Sequence, residues 1–480
     1  MIQAPIQRRR LLLLALLLAP LACGDSDDGG TGTGPDPRRA VNLTIEPSFV
    51  QIDAIGDTVR LTAVVLDQFG DPIETATITW SSLGAAVATV DSEGRVVSKG
   101  AGTGRIVASS GSLSDEIAVL VSPVVASLTL STQKETIAEG ESVQLAVVAK
   151  DSKGTEIPNI PVTWVTSDEK VAVVDASGRV TGVWGEGSVT ITAAAGGKSA
   201  TAEVFVLGKI AFLHNPEGID QLHVMNTDGS DVQLLAALDA INSRPSWSPD
   251  GKRITFAGGD GGATVGVYTM NAGGSMIERI TPDAINATNP VFSPDGKKIA
   301  FVSDRDGSLD VYTMNADGTD IVNLTSHPSS DHFPEWSPDG SKLLFVSERE
   351  GNPALYVMSA EGSGTPARLT PTDMGSLYNP AWSPDGRMIT VTVEKTGAWE
   401  IWVMEFNGSN PRKLTGIGEH AAGSSWTQDG RIIDSSNRES RDSNRLDIFI
   451  MDVDGSNVTR LTHTEWRNVG PAWKPGPPES

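Results

Sequence analysis

One five-residue phrase returns through the second half of the chain at nearly constant spacing. Its full form is an aromatic residue followed by Ser-Pro-Asp-Gly, and its copies, the last two degenerate, are Trp247–Gly251, Phe292–Gly296, Trp336–Gly340, Trp382–Gly386, Trp426–Gly430 and Trp473–Gly476. The aromatic residues of successive copies are 45, 44, 46, 44 and 47 residues apart. A period in this range, built from short β-type runs and turn residues, is typical of a β-propeller.

Each copy belongs to a unit of four predicted strands joined by Asp-Gly turns, which suit left-handed backbone. A methionine in the third predicted strand also counts six units: Met225, Met270, Met314, Met358, Met404 and Met451. The first unit lacks its leading strand, and the last copy is a strand without the rest of its unit. We therefore expect the C-terminal strand to complete the N-terminal blade and close a six-bladed ring, because closure removes the exposed sheet edge.

These units resemble the WD40-like propeller repeats of the TolB family, over roughly residues 209–475. The phrase Trp-Ser-Pro-Asp-Gly is the most specific part of the resemblance. The Gly-His and Trp-Asp pairs of true WD40 repeats are absent. The resemblance implies a propeller of the cell envelope that binds other proteins.

A second internal repeat lies in residues 41–207. Trp80 and Trp164, like Gly94 and Gly178, are 84 residues apart. Units of this length with alternating apolar and polar residues predict small β-sandwiches, with one tryptophan in each core. The words Gly-Asp-Thr-Val-Arg-Leu and Ile-Thr-Trp-Ser-Ser, with their counterparts in the second copy, resemble bacterial immunoglobulin-like domains of group 2. That resemblance implies stalk or binding modules of surface proteins.

The N-terminus has the form of an export signal. Arg8–Arg10 precede the apolar stretch Leu11–Ala19, which is too short to span a bilayer. The sequence Leu-Ala-Cys-Gly that follows resembles the end of a bacterial lipoprotein signal. The resemblance implies that Cys23, the only cysteine of the chain, carries the lipid, and that Gly24 favours the outer membrane. The alternative is an ordinary secreted protein.

The expected fold is all-β, with two tandem Ig-like β-sandwiches followed by a six-bladed β-propeller closed by its C-terminal strand. The expected domains are a signal peptide (1–22), an acylated cysteine with a flexible tether (23–40), two Ig-like domains (41–123 and 124–207), the propeller (208–475) and a tail (476–480). The tether lacks the apolar residues needed to bury surface.

Charge and motifs narrow the function. The net charge of −23 disfavours nucleic acid as a partner, because such a surface repels phosphates. The sequence has no Gly-x-Ser-x-Gly elbow, His-Glu-x-x-His or P-loop, and its six histidines lack ligand spacing. We therefore expect a monomeric binding protein with no catalytic residues, no metal and no cofactor.

The propeller mouth is the predicted binding site. The residues expected just before each innermost strand differ from blade to blade, whereas the strands themselves repeat. The candidates for contact with a partner are Arg244, Asn289, Asp331, His332, Tyr378 and Asn379, with the small Gly423 and Gly470 on the other half of the ring. Such a mouth suits a peptide or loop of another envelope or surface protein entering the channel. The alternatives are a surface adhesin, a carbohydrate-binding receptor and a hydrolase with its site at the mouth.

Overall fold

The computed structural model describes residues 38–238, 241, 243–259, 264–416, 419–440, 442 and 445–476. Cys23, the predicted signal peptide and nearly all of the tether lie outside the described residues. The described chain is built of β-strands, with one 3-10 turn at Pro216–Gly218. None of its helical segments is long and apolar enough to cross a membrane. The chain divides into two compact units, one ending at Ser122 and one beginning at Pro123.

The first unit is a β-sandwich of nine strands. They are β1 (Ala40–Glu46), β2 (Phe49–Ile52), β3 (Thr58–Arg60), β4 (Thr62–Asp67), β5 (Thr79–Leu83), β6 (Ala88–Val90), β7 (Arg95–Ser98), β8 (Gly102–Ser110) and β9 (Leu113–Val121). They form sheets in the orders β2-β9-β8-β5, β3-β7-β6 and β1-β4. Alternate residues point inward, so Val96, Ile106 and Val119 are fully buried. Trp80 is partly buried and packs against this core.

The second unit begins with the same arrangement. Its first nine strands are β10 (Ser127–Leu130), β11 (Lys134–Ala138), β12 (Ser142–Gln144), β13 (Val147–Lys150), β14 (Thr163–Thr166), β15 (Ala172–Val174), β16 (Arg179–Gly182), β17 (Gly187–Ala195) and β18 (Lys198–Leu207). Their sheet orders, β11-β18-β17-β14, β12-β16-β15 and β10-β13, match those of the first sandwich. Trp164 packs against the core as Trp80 does. The internal repeat therefore corresponds to a repeated topology.

Six four-stranded antiparallel sheets follow, which we number 1 to 6 along the chain. Sheet 1 contains β19 (Lys209–Asn215), β20 (Gln221–Asn226) and β21 (Gln233–Ala236); sheet 2 contains β22 (Ser246–Trp247), β23 (Arg253–Gly258), β24 (Gly266–Asn271) and β25 (Glu278–Arg279). Sheet 3 contains β26 (Ala287–Phe292), β27 (Lys298–Ser303), β28 (Asp310–Asn315) and β29 (Val322–Asn323); sheet 4 contains β30 (Asp331–Trp336), β31 (Lys342–Ser347), β32 (Ala354–Ser359) and β33 (Ala367–Arg368). Sheet 5 contains β34 (Ser376–Trp382), β35 (Met388–Lys395), β36 (Ala398–Glu405) and β37 (Arg412–Lys413); sheet 6 contains β38 (Ala421–Trp426), β39 (Ile432–Ser436), β40 (Asp447–Met451) and β41 (Thr459–Arg460).

The last strand, β42 (Arg467–Trp473), is the innermost strand of sheet 1. It runs antiparallel to β19, with Trp473 opposite Ile210 and Val469 opposite Leu213. Sheet 1 thus joins the beginning and the end of the propeller sequence, as the incomplete first and last copies of the repeat predict. The pairing supplies β19 with the inner neighbour that its own unit lacks.

The aromatic residue of the repeated phrase joins neighbouring sheets. In three copies the indole N–H donates to a carbonyl on the innermost strand of the preceding sheet: Trp247 to Ala472 (3.0 Å), Trp336 to Val291 (3.3 Å) and Trp426 to Ala381 (3.2 Å). The buried Nε1 of Trp382 has no hydrogen-bond partner among the described residues. The phrase therefore seals the seam between sheets while its ring is almost fully buried.

The Ser-Pro-Asp-Gly part of the phrase builds the turn between the first and second strands. In sheet 4, the Ser337 hydroxyl donates to Asp339 (2.6 Å) and accepts from the N–H of Lys342 (2.9 Å). Hydrogen bonds from Ser337 and Ser341 lower the pKa of Asp339 to about 2. Gly340 has φ +71°, a left-handed conformation that favours glycine. These contacts give the repeated carboxylates a structural role.

The second sandwich is packed directly against the propeller. Gly208 is the only residue between β18 and β19. The Lys474 ammonium contacts both carboxylate oxygens of Glu139, at 2.6 and 2.8 Å, and Lys474 is only 6% exposed. The Trp184 indole donates to the carbonyl of Pro475 (3.2 Å). Lys474 and Pro475 lie beside the Ser-Pro-Asp-Gly turns, on the side of the propeller opposite the predicted mouth.

Candidate binding site at the propeller mouth

The innermost strands bulge where the predicted mouth residues lie. Register shifts occur between Thr288 and Val291 in sheet 3, and at the equivalent positions of sheets 1, 4, 5 and 6. One residue of each bulge is left-handed: Asn289 (φ 51°), Phe333 (51°), Asn379 (47°), Gly423 (65°) and Gly470 (62°). A proline follows in four of the five, and a bulge tolerates its missing N–H. In sheets 3 to 6 and sheet 1, the predicted residues therefore lie within the innermost strands and not before them.

Arg244 crosses the channel between the sheets. Its Nη2 donates to Oε2 of Glu335 on sheet 4 (2.9 Å), and its Nη1 donates to the carbonyl of Ser424 on sheet 6 (2.8 Å). Both charged side chains are mostly buried. Burial raises the pKa of the Glu335 carboxyl, and the Arg244 guanidinium opposes that rise. Arg244 therefore ties together three sheets instead of projecting freely toward a partner.

This tie divides the channel into two cavities. The mouth cavity has a volume of about 1080 Å³, and the cavity on the side of the Ser-Pro-Asp-Gly turns has about 440 Å³. The constriction at the level of Arg244 and Glu335 has only about 30 Å³. A peptide or loop can therefore fill the mouth but cannot pass through the channel.

The two small residues of the predicted ring leave room for Arg244. A Cβ on Gly470 would lie 3.3 Å from the Cα of Arg244, and one on Gly423 would lie 3.7 Å from the Cα of Gly470. Both glycines are left-handed. Their small size thus makes space for the cross-channel tie.

A group of rings and carboxylates adjoins the mouth cavity at Trp399, which lines it. This acid–aromatic wall consists of Phe333, Glu348, Tyr378, Glu394 and Trp399. The Tyr378 and Trp399 rings stack in parallel with centroids 5.4 Å apart, and the Phe333 and Tyr378 rings form a T-shaped pair with centroids 6.2 Å apart. The Tyr378 hydroxyl donates to Glu394 (3.2 Å), and burial with this contact raises the pKa of Tyr378. Glu394 lies directly opposite Trp399 in the β35–β36 hairpin.

Another part of the mouth cavity lies around Trp466. Its lining includes Arg445 and Arg467 as well as Asp442 and Glu465. Trp466 is 45% exposed and Arg467 is exposed. The Arg445 Nε atom is buried and has no hydrogen-bond partner among the described residues. The lining of the mouth cavity therefore carries both signs of charge.

The other predicted residues differ in accessibility. Asp331 is fully buried, and the Arg349 guanidinium contacts both of its oxygens (3.1 and 3.2 Å), so it is a structural ion pair. His332 is partly buried beside Glu348 (4.0 Å), and burial lowers the pKa of its imidazole. Asn379 lines both the constriction and the mouth cavity, whereas Asn289 lines only the constriction.

Sequence reasoning missed Trp466 and Arg467 in the lining of the mouth cavity and the two carboxylates of the acid–aromatic wall. Trp466 and Arg467 belong to the last, incomplete unit, where no repeat alignment marks them. Trp399 had a recognisable signal, since β35 and β36 have eight residues each whereas the corresponding strands of sheets 2 to 4 have six. The longer hairpin carries Trp399 to the rim, where it is 37% exposed.

No group of three or more His, Cys, Asp or Glu side chains in the described ranges converges in a way that could hold a metal ion.

Comparison with family models agrees with this architecture. The TolB β-propeller domain model matches residues 283–379 and 371–477, and the group 2 bacterial Ig-like domain model matches residues 124–204. The model of the lipoprotein LpqB β-propeller domain matches residues 169–327.

Individual proteins match more distantly. TolB from Acinetobacter baumannii has a TM-score of 0.50 at 21% identity, over 66% of this chain and 83% of that one. A TolB-like structure from Agrobacterium tumefaciens has a TM-score of 0.44 at 23% identity, over 55% of this chain and 91% of that one. Ice-binding protein 1 of Shewanella frigidimarina (strain NCIMB 400) is 33% identical over 134 residues, which are 28% of this chain and only 15% of that protein. At this identity, the match to the Acinetobacter baumannii structure shows the fold alone. The chain carries a group 2 bacterial Ig-like domain followed by a β-propeller of the TolB type.

Proposed function

We propose that this chain is a lipid-anchored protein of the cell envelope whose propeller binds another protein at its mouth. The observation that carries the proposal is the mouth cavity of about 1080 Å³, which is open on one side and closed at its floor by Arg244 and Glu335. Its walls offer exposed aromatic rings and both signs of charge, a combination found where proteins recognise segments of other proteins.

The packing of the second sandwich supports the choice of face. This sandwich contacts the propeller through Glu139, Trp184 and Glu186, beside the Ser-Pro-Asp-Gly turns. The mouth lies on the opposite side and stays open to a partner. In this proposal the Ig-like domains act as spacers, and lipid at Cys23 holds the chain at the outer membrane.

Retention of a partner by the full chain tests the proposal. The purified chain is immobilised and exposed to envelope extract of the source organism, next to a variant carrying Trp399→Ala and Trp466→Ala. Phe406→Ala is the matched control, because Phe406 is 46% exposed and lies beside the turns at Pro338 and Pro384. We expect a protein that the wild type and the control retain and the mouth variant loses. Equal retention by all three would contradict binding at the mouth.

Deletion of the first sandwich separates this proposal from an adhesin. Only residues 41–123 are removed, because the second sandwich is packed against the propeller and its loss would expose Lys474 and Pro475. A propeller-binding protein keeps its partner after this deletion. Loss of the partner would instead place the binding surface on the first Ig-like domain.

The lipid anchor has its own test. Cells producing the chain are labelled with a radioactive fatty acid, and the label is compared between the wild type and Cys23→Ser. We expect the wild type to carry label and to fractionate with membranes, and the variant to do neither. A wild type that fractionates with membranes but carries no label would contradict lipidation at Cys23.

A further inference from the structure

The acid–aromatic wall holds two carboxylates that the chain itself does not neutralise. Within the described ranges, no lysine or arginine side chain lies within 4.0 Å of Glu348 or Glu394 in an ion pair. The contacts of these carboxylates are the His332 imidazole, 4.0 Å from Glu348, and the Tyr378 hydroxyl, 3.2 Å from Glu394. Burial lowers the pKa of His332, which favours its neutral form. The wall is therefore anionic.

The same wall presents a partly exposed indole ring. Tyr378 covers one face of Trp399 in a parallel stack, with an interplanar angle of 1°. Phe333 supports Tyr378 from its edge. Tyr378 therefore fixes the position of the Trp399 side chain. Trp399 is 37% exposed and lines the mouth cavity. This arrangement keeps an indole ring positioned for a ligand at a low entropic cost.

We propose that the acid–aromatic wall binds a lysine or arginine side chain of the protein partner, with the cation between the Trp399 ring and the carboxylates of Glu348 and Glu394. This inference rests on the proposed function and specifies the chemistry of the partner. A cation is attracted by the electron-rich face of an indole, and nearby carboxylates add Coulomb attraction in a partly desolvated cavity.

The experiment uses the full chain labelled with 5-fluorotryptophan and follows the ¹⁹F resonance of Trp399, which Trp399→Phe identifies. The probes are acetyl-Gly-Arg-Gly-amide and its lysine, norleucine and glutamate counterparts. We expect a saturable shift of this resonance with the arginine and lysine probes only. We expect Glu348→Gln and Glu394→Gln each to weaken binding by about 3- to 10-fold. Glu361→Gln, at an exposed position on an outer hairpin of sheet 4, is the control and leaves binding unchanged.

Each other outcome counts against the inference. A response to norleucine equal to that for arginine, unaffected by both glutamine variants, shows an apolar site. A shift produced by a neutral probe, maltotetraose, and not by the arginine probe shows a saccharide site. Because either carboxylate can be tested alone, a variant that does not fold leaves the other to decide.

The inference and the proposed function fail in distinguishable ways. Suppose that the variant carrying Trp399→Ala and Trp466→Ala no longer retains the partner, whereas both glutamine variants retain it and excess arginine probe does not displace it. That result overturns only the cation site. A saturable response to arginine, with no partner depending on the mouth, supports the cation site and overturns the proposed function.

Discussion

Arg244 holds three propeller sheets together through one guanidinium. It pairs with Glu335 and with the Ser424 carbonyl, both across the channel. Truncating it leaves a mostly buried carboxylate without its counter-charge, so we expect Arg244→Ala to lower the free energy of unfolding by about 3–5 kcal/mol. Denaturant unfolding of the full chain measures the loss.

A double variant tests whether the lost pairing is the cause. Arg244→Met combined with Glu335→Leu removes both charges, and we expect it to recover most of the stability that Arg244→Ala loses. A single variant as stable as the wild type would show that Glu335 is not held by Arg244. Because Arg244 is structural, its substitution cannot report on partner binding at the mouth.

At the scale of elements, the aromatic residue of the repeated phrase packs between neighbouring sheets. Trp336 donates to Val291 of the preceding sheet, whereas sheet 3 has Phe292 at the corresponding position. The fold thus already accommodates a ring without an N–H. We expect Trp336→Phe to fold and to lose about 1–2 kcal/mol, from one hydrogen bond and a small loss of packing. Thermal unfolding measures this, with the exposed Trp399→Phe as the milder control. A loss above about 4 kcal/mol would mean that the indole is indispensable.

The loop between β16 and β17 carries a carboxylate whose protonation is coupled to folding. Burial, with a smaller contribution from Asp429, raises the pKa of Glu186 to about 7, although Arg431 (3.5 Å) opposes the rise. Glu186 is therefore protonated to a greater extent in the folded chain than in the unfolded chain between about pH 5 and 7, so its contribution to stability falls as pH rises through that window. Glu335 and Asp434 contribute with the same sign, whereas His223 and His332, whose pKa values burial lowers, contribute with the opposite sign.

The contribution of Glu186 is isolated by Glu186→Gln. We expect the variant to lose less stability than the wild type between pH 5 and 7, as measured by thermal midpoints across that range. Glu361→Gln is the control and should follow the wild-type curve. Parallel curves for Glu186→Gln and the wild type would show that Glu186 ionises normally in the folded chain.

At the scale of the molecule, the second sandwich and the propeller belong to one compact unit. Lys474 of the propeller and Glu139 of the second sandwich form an ion pair, and Trp184 of the sandwich donates a hydrogen bond to the carbonyl of Pro475. We expect Lys474→Met with Trp184→Ala to loosen this junction and to speed proteolysis near Gly208 by at least about tenfold. Limited proteolysis with mass spectrometry measures the rate, with the exposed Lys298→Met as control. An unchanged rate would show that other contacts hold the junction.

The sequence by itself determined the elements and their repetition. Turn residues, alternating apolar residues and the aromatic phrase act within about ten residues of one another, so each unit of the repeat can be recognised from its own letters. The two sandwiches and the pairing of the last strand with the first unit were predicted from the same local patterns, whereas the order of strands within each sandwich was not. Tyr378, His332 and Asn379 were placed near the mouth because the repeat defines equivalent positions.

Only the tertiary structure decided what fills the channel and what lines the mouth. Arg244 meets Glu335 and Ser424 across sequence separations of 91 and 180 residues, and no local pattern marks such partners. Asp331 is buried and paired for the same reason, because its environment depends on Arg349. The acid–aromatic wall joins Phe333 and Glu348 of sheet 4 with Tyr378, Glu394 and Trp399 of sheet 5. Repetition encodes the sheets one at a time, whereas burial, ion pairing and cavity shape arise where side chains of different sheets converge.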